Sequence, residues 1–257
     1  MVSNKRQNDA LNAHINVYNG AMSLINQDNI LIIIPAKNEA DSIQNVIVDI
    51  REHFTGEILV INDASTEQTA QIARQFGATV LDLPLSLGAW GAMQAGLRYA
   101  FKYQFQLAIT MDADGQHQAD ALFSLQMPII ANETDVVIGA FPQRGSAARQ
   151  FAWSLFRFLS GISLEDLTSG FRAYNQSAIT LLASPKATLL DYQDLGVLLL
   201  LHTEGLRIQE IPVEMRARSL GKSRIFSSWW AVSSYMFYTL TLCIAKGYRL
   251  PFISRRR

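Results

Sequence analysis

The stretch Ile30-Leu31-Ile32-Ile33-Ile34-Pro35-Ala36-Lys37-Asn38-Glu39 decides the fold. Its aliphatic run, mostly β-branched, is too short for an ordinary helix and apolar on both faces. Such a run reads as a strand buried on both sides, as in a parallel sheet covered by helices. Pro35 stops the run, and the polar residues Lys37, Asn38 and Glu39 follow as a loop at the strand's carboxyl end.

The same grammar repeats downstream. Residues 41–54 carry Ile43, Val46, Ile47 and Ile50 at helical spacing, with Asp41 or Ser42 as the expected cap. A strand at 57–61, a polar loop at 62–66 and a helix to about Phe76 come next. Then follow a strand at 79–83, a helix at 88–103 with small residues on one face, and a strand at 107–111 that ends at Asp112. A helix at 120–131 and a strand at 135–138 complete the regular part. This alternation predicts an α/β fold, a mostly parallel central sheet with helices on both faces. Ligands of such sheets bind at the carboxyl ends of the strands. Lys37, Glu39, Asp63, Asp112 and Asp114 all fall in loops directly after strands, so they are expected along one rim.

The second half is less regular. Residues 147–159 look helical, and residues 195–202 form an apolar helix preceded by Asp194. Residues 207–215 read as a strand, in which Pro212 marks an edge or a bulge. Residues 216–224 form a basic loop.

Composition bounds the function classes. A chain of 257 residues can bury a substantial core as one large domain, and 49% apolar content excludes a disordered protein. Basic and acidic residues balance at 22 each, so no global field recruits nucleic acid. The lone Cys243 excludes a disulfide framework and a Cys-rich zinc site within one chain, and fits a reducing, cytoplasmic setting. Residues 1–29 form a polar tail without the apolar core of an export signal. Residues 225–245 carry no charge over about the 20 residues that span a bilayer. They also hold Ser227, Ser228, Thr239 and the interface-type Trp229, Trp230, Tyr235 and Tyr238, with basic residues on both flanks. That pattern favours an aromatic helix lying on a membrane surface over a span, with a core or dimer helix as the plainer alternative. The expected organisation is a tail at 1–29, one domain at 30–224 and a membrane-proximal extension at 225–257. A homo-oligomer stays open.

The chemistry concentrates in Met111-Asp112-Ala113-Asp114-Gly115-Gln116-His117. Two carboxylates two residues apart, at the end of a buried strand, can converge on one hard divalent cation. Mg2+ or Mn2+ takes oxygen ligands and often bridges substrate phosphates. A departing diphosphate needs its developing charge neutralised, and a metal does that. An isolated Asp-X-Asp is more often a solvated turn. Its position after a buried strand, among the other rim loops, decides for the metal. Gly88, Gly91 and Gly96 lack dinucleotide-fingerprint spacing, and close packing of a helix on the sheet is the preferred reason for them. Asp194 is a candidate general base for a hydroxyl acceptor and equally a helix cap, with Asp191 as a substitute. Arg216, Arg218, Lys222 and Arg224 can close over a diphosphate or grip an acceptor phosphate.

Six segments in order resemble glycosyltransferase family 2: Pro35 to Glu39, Val60 to Thr66, Leu87 to Ala92, Asp112-Ala113-Asp114, Thr168-Ser169-Gly170-Phe171-Arg172 and Arg218 to Arg224. The last two are similar to its branch containing dolichol-phosphate mannose synthase. The resemblance runs from about residue 30 to 225 and implies a GT-A, Rossmann-like fold. It implies nucleotide-sugar binding by Pro35, Lys37, Glu39, Asn62, Asp63, Asp112 and Ala113. For Mg2+ or Mn2+ it implies Asp112 as a ligand near the ribose, Asp114 as the metal-binding carboxylate and a catalytic residue, and Gln116 as a further ligand, with inversion at the sugar carbon. Arg149, Arg218, Lys222, Ser223 and Arg224 are the implied acceptor and diphosphate contacts. His117 is expected to be solvent-facing or structural. The donor would be a GDP- or UDP-sugar and the acceptor a polyprenyl phosphate, at the inner face of the membrane. A sugar hydroxyl in a surface polysaccharide is the second choice, and a non-catalytic nucleotide-sugar binder the third. The sequence departs from the family at Lys37, where an aromatic is common, at Asn62, where an acid is common, at Ala89, where Lys or Asn is frequent, and at Ala140-Phe141, where Ser-Arg is frequent. Arg144 or Arg149 are the candidates to replace that arginine.

Overall fold

The computed structural model describes residues 27–141, 164–188, 190 and 195–216. Most of the expected tail, the helix at 147–159 and the aromatic stretch at 225–245 lie outside these residues. No described helix is long and apolar enough to cross a membrane.

Seven strands form one sheet: β1 (Ile30–Ala36), β2 (Glu57–Asn62), β3 (Thr79–Asp82), β4 (Leu107–Thr110), β5 (Val136–Ala140), β6 (Arg172–Asn175) and β7 (Ile208–Pro212). Their spatial order is β3-β2-β1-β4-β6-β5-β7. β1 runs parallel to β2 and β4, β2 to β3, and β5 to β7. β6 alone is antiparallel to its neighbours β4 and β5. The helices are α1 (Ala40–His53), α2 (Thr69–Gln75), α3 (Gly88–Lys102), α4 (Leu122–Ile130), α5 (Gln176–Ala183) and α6 (Leu195–Thr203).

Side chains alternate across β1, so one strand feeds two cores. Ile30, Ile32 and Ile34 join Ile43, Val46, Ile47 and Ile50 of α1 and Leu122 and Leu125 of α4. Leu31 and Ile33 join Trp90, Met93 and Leu97 of α3, Ile179 and Leu182 of α5, and Val197 to Leu201 of α6. Each aliphatic side chain buried this fully contributes about 1.5–3 kcal/mol. Gly96 lets α3 approach the sheet: a Cβ there would stand 2.3 Å from Ile33 Cγ2. Close packing is therefore the reason for that glycine, as expected.

Some expectations need correction. β1 runs through Pro35 to Ala36 instead of stopping at it. Ile33 O receives the Met111 N–H and Ala36 O receives the Asp63 N–H, so odd residues of β1 face β4 and even ones face β2. Pro35 thus lacks its N–H on the β4 side, where β4 has already ended at Thr110. Neither Asp41 nor Ser42 caps α1, which begins at Ala40. The entry to that helix is tied from outside instead, with Glu39 N–H donated to Thr69 Oγ1 and Ala40 N–H to Glu67 Oε1. Strand β6 and helix α5 were not anticipated. Pro212 does sit on the edge strand.

Candidate active site

Chain direction diverges between β1 and β4. β1 leads to β2 on one side while β4 lies on the other, which makes this the switch point where open α/β sheets form their ligand crevice. The loop after β2 joins the same rim, since Ala36 pairs with Asn62 in register. The antiparallel β6 adds its beginning here: Arg172 stands opposite Thr110 on one side and Ile138 on the other. Segment 164–171 is thereby delivered to the carboxyl ends of β4 and β5.

On the β2 side the polar groups are committed to the scaffold. Asp63 is 4% exposed. Its carboxylate accepts Leu87 N–H at 2.6 Å and Gly88 N–H at 3.2 Å, both at the amino end of α3, and the Ser86 hydroxyl at 2.7 Å. A carboxylate is the natural partner for helix N–H groups that have no partner within the helix. Gly88 adopts φ +75°, a conformation glycine reaches at no steric cost. Lys37 Nζ donates to the same Ser86 hydroxyl at 2.9 Å. Asn62 gives its amide N–H to Asp82 at 2.8 Å and accepts Ser65 N–H at 3.2 Å. That amide, together with the Arg74 guanidinium, holds the Asp82 carboxyl below its usual range. Glu39 accepts the Ser42 hydroxyl.

On the β4 side one acid stays open. The Asp112 side chain is 44% exposed, and among the described residues its carboxylate accepts no hydrogen bond. Its own N–H is donated to His117 Nδ1 at 3.1 Å, which leaves Nε2 as the proton-bearing nitrogen of the neutral ring. That Nε2 lies 3.6 Å from Asp112 Oδ2. The His117 ring is buried and stacks on Phe171 at 4.9 Å. Asp114 accepts Gln116 N–H at 3.1 Å, closing a tight turn around Gly115 at φ +75°. Ala113 is buried in the core, so it meets a ligand through its backbone if at all. The loop is also tied to the start of the basic segment: Gln116 O accepts Arg216 N–H, and His117 bridges to Met215.

The segment before β6 is packed against this loop. Thr110 Oγ1 donates to Gly170 O at 2.7 Å, and Ser169 Oγ donates to Gly139 O at 2.6 Å. Arg172, fully buried, donates Nε to Ser169 O and Nη2 to Leu167 O. Glu210 of β7 accepts the N–H groups of Glu165 and Asp166, and burial pushes its carboxyl above the usual range. Asp166 is itself buried and accepts the Phe141 N–H. Residues 168–172 were singled out in the sequence only by family resemblance, and residues 164–167 not at all. Their roles depend on an antiparallel strand that periodicity did not reveal.

The family resemblance names Asp112, Asp114 and Gln116 as the ligands, and all three side chains offer oxygen, as a hard divalent cation requires. Among the described residues, no hydrogen bond occupies the lone pairs of the Asp112 carboxylate. Among the described residues, a group of three side chains within mutual metal-binding range occurs elsewhere, at Asp49, Glu52 and His53 of α1. Asp49 is already engaged there by Ala119 N–H and by Arg216. Arg144, Arg149, Asp191, Asp194, Arg218, Lys222, Ser223 and Arg224 lie outside the described residues.

The model of the family described as glycosyl transferase family 2 matches residues 31–182. An undecaprenyl-phosphate mannosyltransferase of Micrococcus luteus is 29% identical over 76% of this chain and 87% of its own length. A polyprenol monophosphomannose synthase of Mycolicibacterium smegmatis is 25% identical over 77% of this chain and 81% of its own. Among solved structures, glucosyl-3-phosphoglycerate synthase from Mycobacterium tuberculosis, in complex with Mn2+, UDP and phosphoglyceric acid, superposes with a TM-score of 0.66. It covers 83% of this chain and 78% of its own at 20% identity, a likeness of fold.

Proposed function

From the premise that this chain belongs to glycosyl transferase family 2, we propose that it moves a sugar, with inversion, from a nucleoside-diphosphate sugar to a polyprenyl phosphate. The observation that carries this reading is the contrast at the rim. Neighbouring polar groups are consumed by the scaffold, while Asp112 presents an open carboxylate at the crevice between β1 and β4. Asp114 and Gln116, on the same loop, complete the oxygen donors. A Mg2+ or Mn2+ ion bound there supplies neutralising charge for the departing diphosphate. Pro35, Lys37 and Glu39 border the donor's side of the crevice, and Lys37 adds positive charge to it. Asn62 and Asp63 act one step back, by fixing the loops that the nucleoside rests on.

The acceptor phosphate is already an anion, so no base has to remove a proton from it. Its oxygen bonds to the anomeric carbon from one face as the bond from that carbon to the diphosphate oxygen breaks on the other. Arg149, Arg218, Lys222, Ser223 and Arg224 are assigned to the acceptor phosphate and the departing diphosphate. The lipid acceptor is supported by the relatives in Micrococcus luteus and Mycolicibacterium smegmatis, the first named for undecaprenyl phosphate and the second for polyprenol monophosphomannose. The uncharged aromatic stretch at 225–245 supports a place on the cytoplasmic membrane surface. Transfer to a sugar hydroxyl would instead need Asp194 as the base.

The test is transfer of label from UDP- and GDP-sugars to a short-chain polyprenyl phosphate. Label should enter the lipid extract only with Mg2+ or Mn2+, and Asp114→Ala should abolish it. Transfer to a glycan but never to the lipid would overturn the acceptor assignment. Asp194→Asn should leave lipid transfer within a few-fold of the parent; a collapse of turnover with donor affinity kept would favour the hydroxyl acceptor.

A further inference from the structure

Asp112 stands between two walls that belong to neither of its chain neighbours. On one side is the backbone of Gly170. A Cβ at that position would lie 2.7 Å from Asp112 Oδ1 and 3.1 Å from Oδ2. The φ of Gly170 is not in the left-handed region, so an alanine would meet no backbone strain there. The glycine is needed for space, and the space it leaves is filled by a carboxylate.

That wall is held from several directions. Thr110 Oγ1 grips Gly170 O, Ser169 Oγ grips Gly139 O, and the buried Arg172 grips the carbonyls of Ser169 and Leu167. Backbone pinned in this way cannot retreat from an added methyl group. The carboxylate would have to rotate instead.

On the other side is His117. Its Nδ1 accepts the Asp112 N–H, and its Nε2 faces Asp112 Oδ2 at 3.6 Å. Its ring stacks on Phe171, the residue next to Gly170, so both walls share one anchor. Phe171 is in turn wedged against Gly139, where a Cβ would meet its Cδ1 at 3.1 Å.

We propose that Gly170 and His117 are positioning residues that set the orientation of the Asp112 carboxylate toward the cation and the donor diphosphate. The Thr168-to-Arg172 motif thereby acts as a determinant of metal affinity. Groups that orient a metal ligand without touching the metal typically account for about 10–100-fold in affinity. This inference rests on the metal-site reading of Asp112, and its test separates the two.

The measurement is Mn2+ binding to the full chain, followed by loss of the free-ion electron paramagnetic resonance signal, with thermal unfolding recorded alongside. Gly170→Ala should raise the Mn2+ dissociation constant about 10–100-fold, with Tm within about 2 °C of the parent. His117→Phe keeps the stack on Phe171 but removes both ring nitrogens, and should weaken Mn2+ in the same direction. It serves as the second test should Gly170→Ala not fold. Asp112→Asn is the reference. If Asp112→Asn binds Mn2+ as the parent does, the metal-site reading falls and this inference with it. If Asp112→Asn loses Mn2+ while Gly170→Ala and His117→Phe, folded, bind within twofold of the parent, the positioning role alone is wrong.

Discussion

Asp63 and Asp112 follow β2 and β4, strands that flank β1 on either side, and the fold treats them in opposite ways. Asp63 is buried, and its two oxygens accept hydrogen bonds from Ser86, Leu87 and Gly88. Asp112 keeps an exposed carboxylate that takes no hydrogen bond from the described residues. The difference comes from what lies beyond each strand. β2 is followed in space by the amino end of α3, whose N–H groups need an acceptor. β4 is followed by a tight turn that satisfies itself through Asp114 and His117. One aspartate builds the rim and the other is left open.

Substitution should separate the two roles. The largest effect belongs to Asp112→Asn, with a fall in turnover of at least about 10²–10³-fold in a donor-hydrolysis or transfer assay. Its Tm should move by no more than about 2 °C, because the half-exposed carboxylate accepts no hydrogen bond from the described residues. Asp63→Asn should do the reverse. One oxygen becomes a donor facing donors, at about 1–2 kcal/mol, seen as a Tm lower by about 2–8 °C. Turnover at saturating donor should stay within about tenfold of the parent. Equal losses of turnover in both variants would break the distinction.

A finer version removes only the shared hydroxyl. Ser86→Ala deletes the link between Lys37 and Asp63 and should cost about 0.5–1.5 kcal/mol. If Lys37 borders the donor, KM for the nucleotide sugar should rise a few-fold while kcat holds.

The smallest effect is expected far from the rim. The Arg207 side chain holds the Asp135 carboxyl below its ordinary range, with Asn175 assisting. A carboxyl lowered on folding adds stability above its unfolded-state value and loses it as pH falls through the folded one. The gap in urea midpoint between the parent and Asp135→Asn should therefore be open at neutral pH. It should narrow below about pH 4, where the parent's advantage titrates away. A gap that widens on acidification would contradict the assignment.

Much of the fold was legible because local pattern and global role agree. The Ile30-to-Ile34 run could only be a strand buried on both faces, and α1 carries its apolar residues at helical spacing. β6 escaped because Arg172–Asn175 is four residues long, begins with a charged side chain and shows no alternation to read. The cap of α1 escaped because Thr69 and Glu67 supply it from a later segment. In the site, the place of Asp112 and Asp114 at the end of a buried strand was legible. The internal commitments of Asn62 and Asp63 were not, since both depend on partners twenty or more residues away. The contact of Gly170 with Asp112 required knowing that β6 runs antiparallel.

On the proposed reading, the crevice between β1 and β4 binds a nucleoside diphosphate through a cation on Asp112. The direct measurement is thermal unfolding with UDP or GDP, with and without Mn2+, for the parent and Asp112→Asn. Near-saturating nucleotide with Mn2+ should raise the parent's Tm by about 5–10 °C, and removing either Mn2+ or the Asp112 carboxylate should erase most of that shift. An undiminished shift without metal, or one that persists in Asp112→Asn, would contradict it.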